Sequence, residues 1–337
     1  MCLLRLSAYT SDADDGFDSP IPEPNSHTAF GAGINIRRCK TVVMHMFTGR
    51  PELNVALQST NLAPGQEVRG VVRITSEAER QVDRGFVALR CEERYEYRER
   101  RRSSGSRSGS HITSVTDTNL LLDQEQEFIG ATLVLPGESA EYPFSLAIPQ
   151  NAPPTYQGEI LKLRWFIHAR LDLDRAFDSK AEVDLVVYHP PEGPYPQPRF
   201  PLDQESHSKC NVAVQLESEV VGAGGIVRGV LRIEPREEFE AQEVRAQLRR
   251  VEHVPQREGN TSTEEVAVAV LTGESSFMPG VPMDLPFELA VPATPHPSTY
   301  TAHAAVYWEV DLTLARRLRG DLHLIRSLHV YSMPAGE

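Results

Sequence analysis

Along Leu161 to Asp174 every second residue is apolar: Leu161, Leu163, Trp165, Ile167, Ala169, Leu171 and Leu173. The residues between them, Lys162, Arg164, Phe166, His168, Arg170, Asp172 and Asp174, are polar apart from Phe166. Successive side chains on a strand point to opposite faces, so this period of two predicts one long β-strand with a dry face and a wet one. The pattern returns at Ala302, Ala304, Val306, Trp308, Val310, Leu312 and Leu314, with Trp308 following Trp165 by 143 residues. These are the 2 tryptophans of the chain, and each sits mid-strand on the apolar face.

The echo extends both ways. Tyr142-Pro143-Phe144-Ser145-Leu146-Ala147-Ile148-Pro149 matches Leu285-Pro286-Phe287-Glu288-Leu289-Ala290-Val291-Pro292, and Val187-Tyr188 matches Val330-Tyr331, all at the same offset of 143. Further upstream, Val68 to Ile74 (VRGVVRI) matches Val227 to Ile233 (VRGVLRI). Turns at Ala63-Pro64-Gly65 and Gly222-Ala223-Gly224 lead into these strands, as expected of Pro-Gly and Gly-rich hairpin punctuation. The run around Gly224 is read as a turn and not as a phosphate loop, because no helix pattern follows it. The strand from Gly85 to Tyr95 is matched by Val244 to Glu252. Two β-domains of one design in tandem are predicted. No helix of ordinary length is expected; Arg236 to Arg250 is rich in helix formers but pairs partly with a strand of the first copy, and Ala315 to Arg319 is read as at most a single turn.

The predicted organisation is an extension at 1–46, a first sandwich at 47–190, a linker at 191–206 and a second sandwich at 207–332. The extension is acidic, with Pro, Gly and Ser, and reads as a disordered arm or as an upstream mis-start before Met44 and Met46. Six prolines between His189 and Ser206 predict an extended, semi-rigid linker. Arg98 to His111, RERRRSSGSRSGSH, is expected to be a mobile hairpin tip. Phosphorylation there, or peripheral contact of Arg98–His111 with an anionic membrane, is the less favoured reading.

Composition narrows the function. A net charge of −13 argues against a general nucleic-acid binder. No apolar run approaches the ~18–20 residues that span a bilayer. The N-terminus has too short an apolar core for a secretory signal, and none of the 4 cysteines forms a Cys-x-x-Cys pair. A cytoplasmic, reduced protein is therefore expected. Only Lys40, Lys162, Lys180 and Lys209 among the 34 basic residues are lysines, a skew associated with GC-rich, commonly bacterial, genomes.

Pro51-Glu52-Leu53 and Pro64-Gly65-Gln66-Glu67-Val68-Arg69-Gly70 resemble the opening of the arrestin-like superfamily. The order Leu135-Pro136-Gly137-Glu138, Tyr142-Pro143-Phe144, Ala152-Pro153-Pro154-Thr155-Tyr156 and Arg164-Trp165 resembles it further. The resemblance covers about residues 51–190, and 207–332 by way of the repeat. It implies an all-β chain of two tandem immunoglobulin-like, arrestin-type sandwiches tilted against each other. Nothing matches the charged phosphate-sensing core of receptor-binding arrestins or a clathrin-box tail. Pro153-Pro154-Thr155-Tyr156 fits the Pro-Pro-x-Tyr pattern but lies inside the fold. Among the branches, the bacterial sporulation-control proteins are the favoured relatives.

No catalytic constellation is legible, and no cofactor or metal is expected. The histidines are scattered: His168 and His303 are placed on the wet faces of the twin strands, and His323 and His329 on one face of the last strand. Glu92, Glu93 and Glu99 alternate with arginines and read as a solvated strand surface. The residues singled out are structural: Trp165, Trp308, Gly65, Gly224, Pro143 and Pro286. The expected function is a non-enzymatic intracellular scaffold or adaptor. It would bind other proteins through strand edges, loops and the cleft between the domains, with no residue assigned to the partner. The alternative is an envelope-associated sandwich for carbohydrate or lipid, which would require exposed aromatic side chains.

Overall fold

The computed structural model describes residues 50–102, 110–173, 178–189, 209–294, 296–317 and 320–332. The first sandwich runs β1 (Glu52–Leu57), β2 (Asn61–Leu62), β3 (Glu67–Thr75), β4 (Arg80–Arg102), β5 (Ser110–Ile129), β6 (Thr132–Val134), β7 (Ser139–Ala147), β8 (Tyr156–Gln157), β9 (Leu161–Leu173) and β10 (Ser179–Val187). The second runs β11 (Cys210–Leu216), β12 (Val220–Gly222), β13 (Ile226–Pro235), β14 (Phe239–Ala241), β15 (Glu243–Val254), β16 (Asn260–Thr272), β17 (Ser275–Phe277), β18 (Met283–Ala290), β19 (Thr299–Tyr300), β20 (Ala305–Ala315) and β21 (Leu322–Tyr331). No helix occurs among the described residues, and none is long and apolar enough to cross a membrane.

The two copies share one topology. A small sheet ordered β1-β3-β7 packs on a larger one ordered β2-β10-β9-β4-β5, and β11-β13-β18 packs on β12-β21-β20-β15-β16. Within each copy the apolar faces meet in one core. The first gathers Val72, Ile74, Leu89, Trp165, Ile167 and Leu171; the second gathers Leu231, Ile233, Leu248, Trp308, Val310 and Leu312. Both tryptophans are 1% exposed. Trp165 Nε1 donates to the Pro153 carbonyl and Trp308 Nε1 to the His296 carbonyl, each at 2.9 Å, so the indole tether is itself repeated at the offset of 143.

Local chemistry sets the rest. Gly65 and Gly224 turn the chain at φ of +83° and +79°, where a Cβ is strained. Pro143 and Pro286 lie inside β7 and β18, each at the end of its small sheet. A residue without an N–H is tolerated in a strand that lacks an outer neighbour. Cys91 and Cys210 are buried free thiols, and burial pushes both up in pKa, away from the reactive thiolate.

Some expectations are corrected. Arg98 to Arg102 and Ser110 to His111 are not loop: they are the paired arms of a β4–β5 hairpin, in register from Arg98 opposite Ser114 to Arg102 opposite Ser110. Continuous ladder pairing, with a second-domain hairpin against Arg98, outweighs the polar composition. Arg236 to Arg250, by contrast, follows the repeat as expected: it holds no helix and forms β14 and most of β15. The second long strand begins at Ala305, so Ala302 and Ala304 precede it. The extension at 1–46, the linker at 191–206 and the hairpin tip at 103–109 lie outside the described residues.

Candidate functional site

Two buried carboxylates, Glu93 and Glu252, lie where the two sandwiches meet. Glu252 sits near the end of β15 and is 2% exposed. Its carboxylate accepts four hydrogen bonds from the first sandwich. Tyr156 Oη donates at 2.8 Å, and the successive backbone N–H groups of Glu159, Ile160 and Leu161 donate at 3.1, 2.8 and 3.1 Å. Three consecutive N–H groups converging on one carboxylate form a concave anion cradle. Gly158 opens this turn, and a Cβ there would collide with the Glu252 carboxylate. Burial, with the Glu252 charge beside it, pushes the Tyr156 phenol up, so it stays a donor.

The arrangement is reciprocated. Glu93 on β4 is 0% exposed and reaches into the corresponding turn of the second sandwich. It accepts from the Thr301 hydroxyl and from His303 Nδ1 at 2.6 Å. The geometry suits an Nδ1–H of His303 donating to the carboxylate, which as an anion only accepts. Thr301 Oγ1 in turn accepts from the N–H groups of His303 and Ala304, at 3.2 and 2.9 Å. Tyr95 stacks on His303 with ring centroids 5.1 Å apart. Glu252 follows Glu93 by 159 residues and Thr301 follows Gly158 by 143, the two offsets of the internal repeat. Each copy therefore extends the same glutamate into the other copy's turn.

Apolar packing surrounds the carboxylates. Tyr95, Tyr156, Ile160, Leu161 and Leu163 of the first sandwich pack with Val254, Ala304 and Val306 of the second. The hairpins add backbone contacts: Asn260 Nδ2 donates to the Glu96 carbonyl at 3.3 Å and the Glu258 N–H to the Arg98 carbonyl at 3.1 Å. Arg257, at φ of +56°, is held in this contact by a bridge to Arg98. The Asn260 side chain is thus engaged inside the junction. A cleft of about 120 Å³ beside the junction is lined by Arg94, Glu96, Thr116, Glu159 and Lys162, among others. That is far below the ~300 Å³ at which small-molecule sites begin.

The sequence-based site residues fall as follows. Trp165, Trp308, Gly65, Gly224, Pro143 and Pro286 lie in cores, turns and edge strands, away from this junction. Glu93 is not solvated, contrary to the sequence reading; the second sandwich covers it. His303 is not on a strand face but in the turn before β20, against Glu93. His168 is nearly buried and meets Glu182 at 3.1 Å; that hydrogen bond, with Arg164 adding to it, holds the Glu182 carboxyl down at about 2. His323 and His329 do not converge. His323 Nδ1 faces the fully buried Asp311 at 3.0 Å, while His329 packs edge-on against His189. No group of three or more His, Cys, Asp or Glu able to hold a metal occurs among the described residues. Glu252 was missed, although its coincidence with Glu93 under the repeat was a usable signal.

His329 supplies a pH dependence. Burial, then the nearby His189 charge, lowers it from 6.5 to about 4. The unfolded chain therefore binds the proton first, and stability falls as pH drops from about 6.5 towards 4. Solvent reaches part of this ring and screens its charge, so the loss stays below the full value of the shift. The His329→Gln variant is expected to flatten the melting temperature across that window; an unchanged slope would show that another group sets it.

Compared with known proteins, residues 55–191 match the family model described as arrestin (or S-antigen), N-terminal domain. The first sandwich is thus arrestin-like, and the second shares its topology. No curated protein matches the chain.

Proposed function

We propose that this protein is a non-enzymatic adaptor that binds other proteins with its two sandwiches acting as one body. The reciprocal glutamate contact carries this reading. Both carboxylates are consumed as acceptors and shielded from solvent, so they do mechanical work and no acid–base chemistry. Fixing the two sandwiches before a partner arrives lowers the ordering cost of binding across both. The arrestin-like first domain supports a protein-binding role. The inward tryptophans and the small junction cleft weigh against a carbohydrate or lipid site.

The finer reading is a regulatory adaptor of the bacterial sporulation-control type, working in the cytoplasm. It is supported by the arginine skew of the chain and by the tandem of like domains.

The test uses the tagged native chain and the Glu252→Ala variant, each recovered from its own cells with whatever protein accompanies it. Partner affinity should fall at least about tenfold in the variant, a difference of ~1.4 kcal/mol, while both sandwiches remain folded. Equal affinity in an uncoupled but folded variant would defeat the two-sandwich reading.

A further inference from the structure

The two larger sheets end differently, although they share one topology. Each has a terminal strand, β5 in the first sandwich and β16 in the second, and among the described residues no strand pairs with the outer edge of either. An exposed edge leaves N–H and C=O groups unpaired and invites an added strand. In β5, Glu125 and Glu127 stand opposite Ala88 and Phe86. The positions equivalent to Ala88 and Phe86 are Gln247 and Arg245, and opposite those stand Val268 and Val270. Where the first copy carries two glutamates on its edge, the second carries two valines, 47% and 60% exposed. They belong to Val266 to Leu271, VAVAVL, a run without charge, Gly or Pro. Uncharged alternating β-branched residues on a free edge are the composition that pairs readily with another strand.

We propose that the β16 edge is a self-association surface, at which a second copy of this chain pairs antiparallel about a twofold axis through Val268. In that register Val268 meets Val268, Val266 meets Val270 and Ala267 meets Ala269. Glu265 falls opposite Leu271 and Glu264 opposite Thr272, so no carboxylate faces a carboxylate. Both glutamates already have partners in their own chain: Glu264 pairs with Arg250, and Glu265 accepts from Gln247. A parallel pairing in register would stack glutamate on glutamate. The copies also carry the same charge of −13, so they can approach closely only along a neutral segment such as this one. The twofold contact uses each β16 edge once and closes at a dimer. One short strand pair buries less than the ~1,200 Å² of a stable interface, so the dimer is weak and concentration-dependent.

Sedimentation of the full chain from low to high micromolar concentration tests this. The native protein should move from monomer to dimer. Raising the salt should strengthen the dimer by screening the like charges. The Val268→Glu variant, which copies the first sandwich's Glu125, should weaken association at least about tenfold, since it sets two like charges face to face. Its melting temperature should stay near native because the side chain is exposed, and Glu125→Gln on β5 should change nothing. A native chain that stays monomeric throughout, or a dimer that survives Val268→Glu undiminished, overturns the proposal. So does strong protection of the 266–270 amides from hydrogen exchange in the dilute monomer, which would mean that the chain covers this edge itself.

Discussion

Replacing Trp165 by alanine is expected to destabilise the first sandwich by about 3–5 kcal/mol, and Trp308→Ala should do the same to the second. Each indole is 1% exposed in the middle of its core, so truncation leaves a cavity that the two packed sheets cannot collapse to fill. Truncation also removes the donor to a backbone carbonyl, that of Pro153 or of His296. Calorimetry of the single variants should show a fall of ~10 °C or more in the melting temperature. The Trp→Phe variants separate the two contributions: they keep most of the volume, lose the N–H, and should cost ~1–2 kcal/mol. A near-native melting temperature for either alanine variant would mean that the indole does not fill the core.

Glu252→Ala is expected to cost about 3–5 kcal/mol, an effect as large but of another kind. The lost carboxylate leaves the buried N–H groups of Ile160 and Leu161 and the Tyr156 hydroxyl without their acceptor. Each unsatisfied donor costs ~1–3 kcal/mol, and water entering the gap offsets part of that. The penalty falls on the junction, not on either core. A single cooperative unfolding transition should therefore split in two. Gly158→Ala should act the same way from the other side, because its Cβ occupies the carboxylate's place. Glu252→Gln keeps one acceptor oxygen and should fall between native and alanine. An unsplit, unshifted transition in both Glu252→Ala and Gly158→Ala would show that the apolar packing alone holds the junction.

The sequence revealed much of this fold and little of the junction, for a physical reason. Alternation reports which side of a strand is dry, and Leu161 to Leu173 was legible for that reason. It does not report what makes that side dry. Trp165, Ile167 and Leu171 face the sheet of their own sandwich, while Leu161 and Leu163, on the same strand, face the other domain. Glu93, flanked by Glu92 and Arg94, has the local pattern of a solvated strand. Only the arrival of a second domain buries it, and no window on one strand contains that domain. The charged hairpin arms around Arg98 misled for the same reason, since ladder pairing and a distant hairpin determine their state. The repeat itself held the missing signal, a glutamate kept at one position in both copies.

The reciprocity of Glu93 and Glu252 has a consequence for how the chain holds itself together. Contacts in which one copy's glutamate enters the other's turn, and the reverse, have the form of a twofold homodimer interface. Here both halves lie on one polypeptide, so their meeting is governed by a fixed effective concentration and not by how much protein is present. Dilution cannot separate them. Nor must the two halves stay identical, as a dimer of one gene product must. One half accordingly holds its carboxylate with backbone amides and a tyrosine, and the other with a threonine and a histidine.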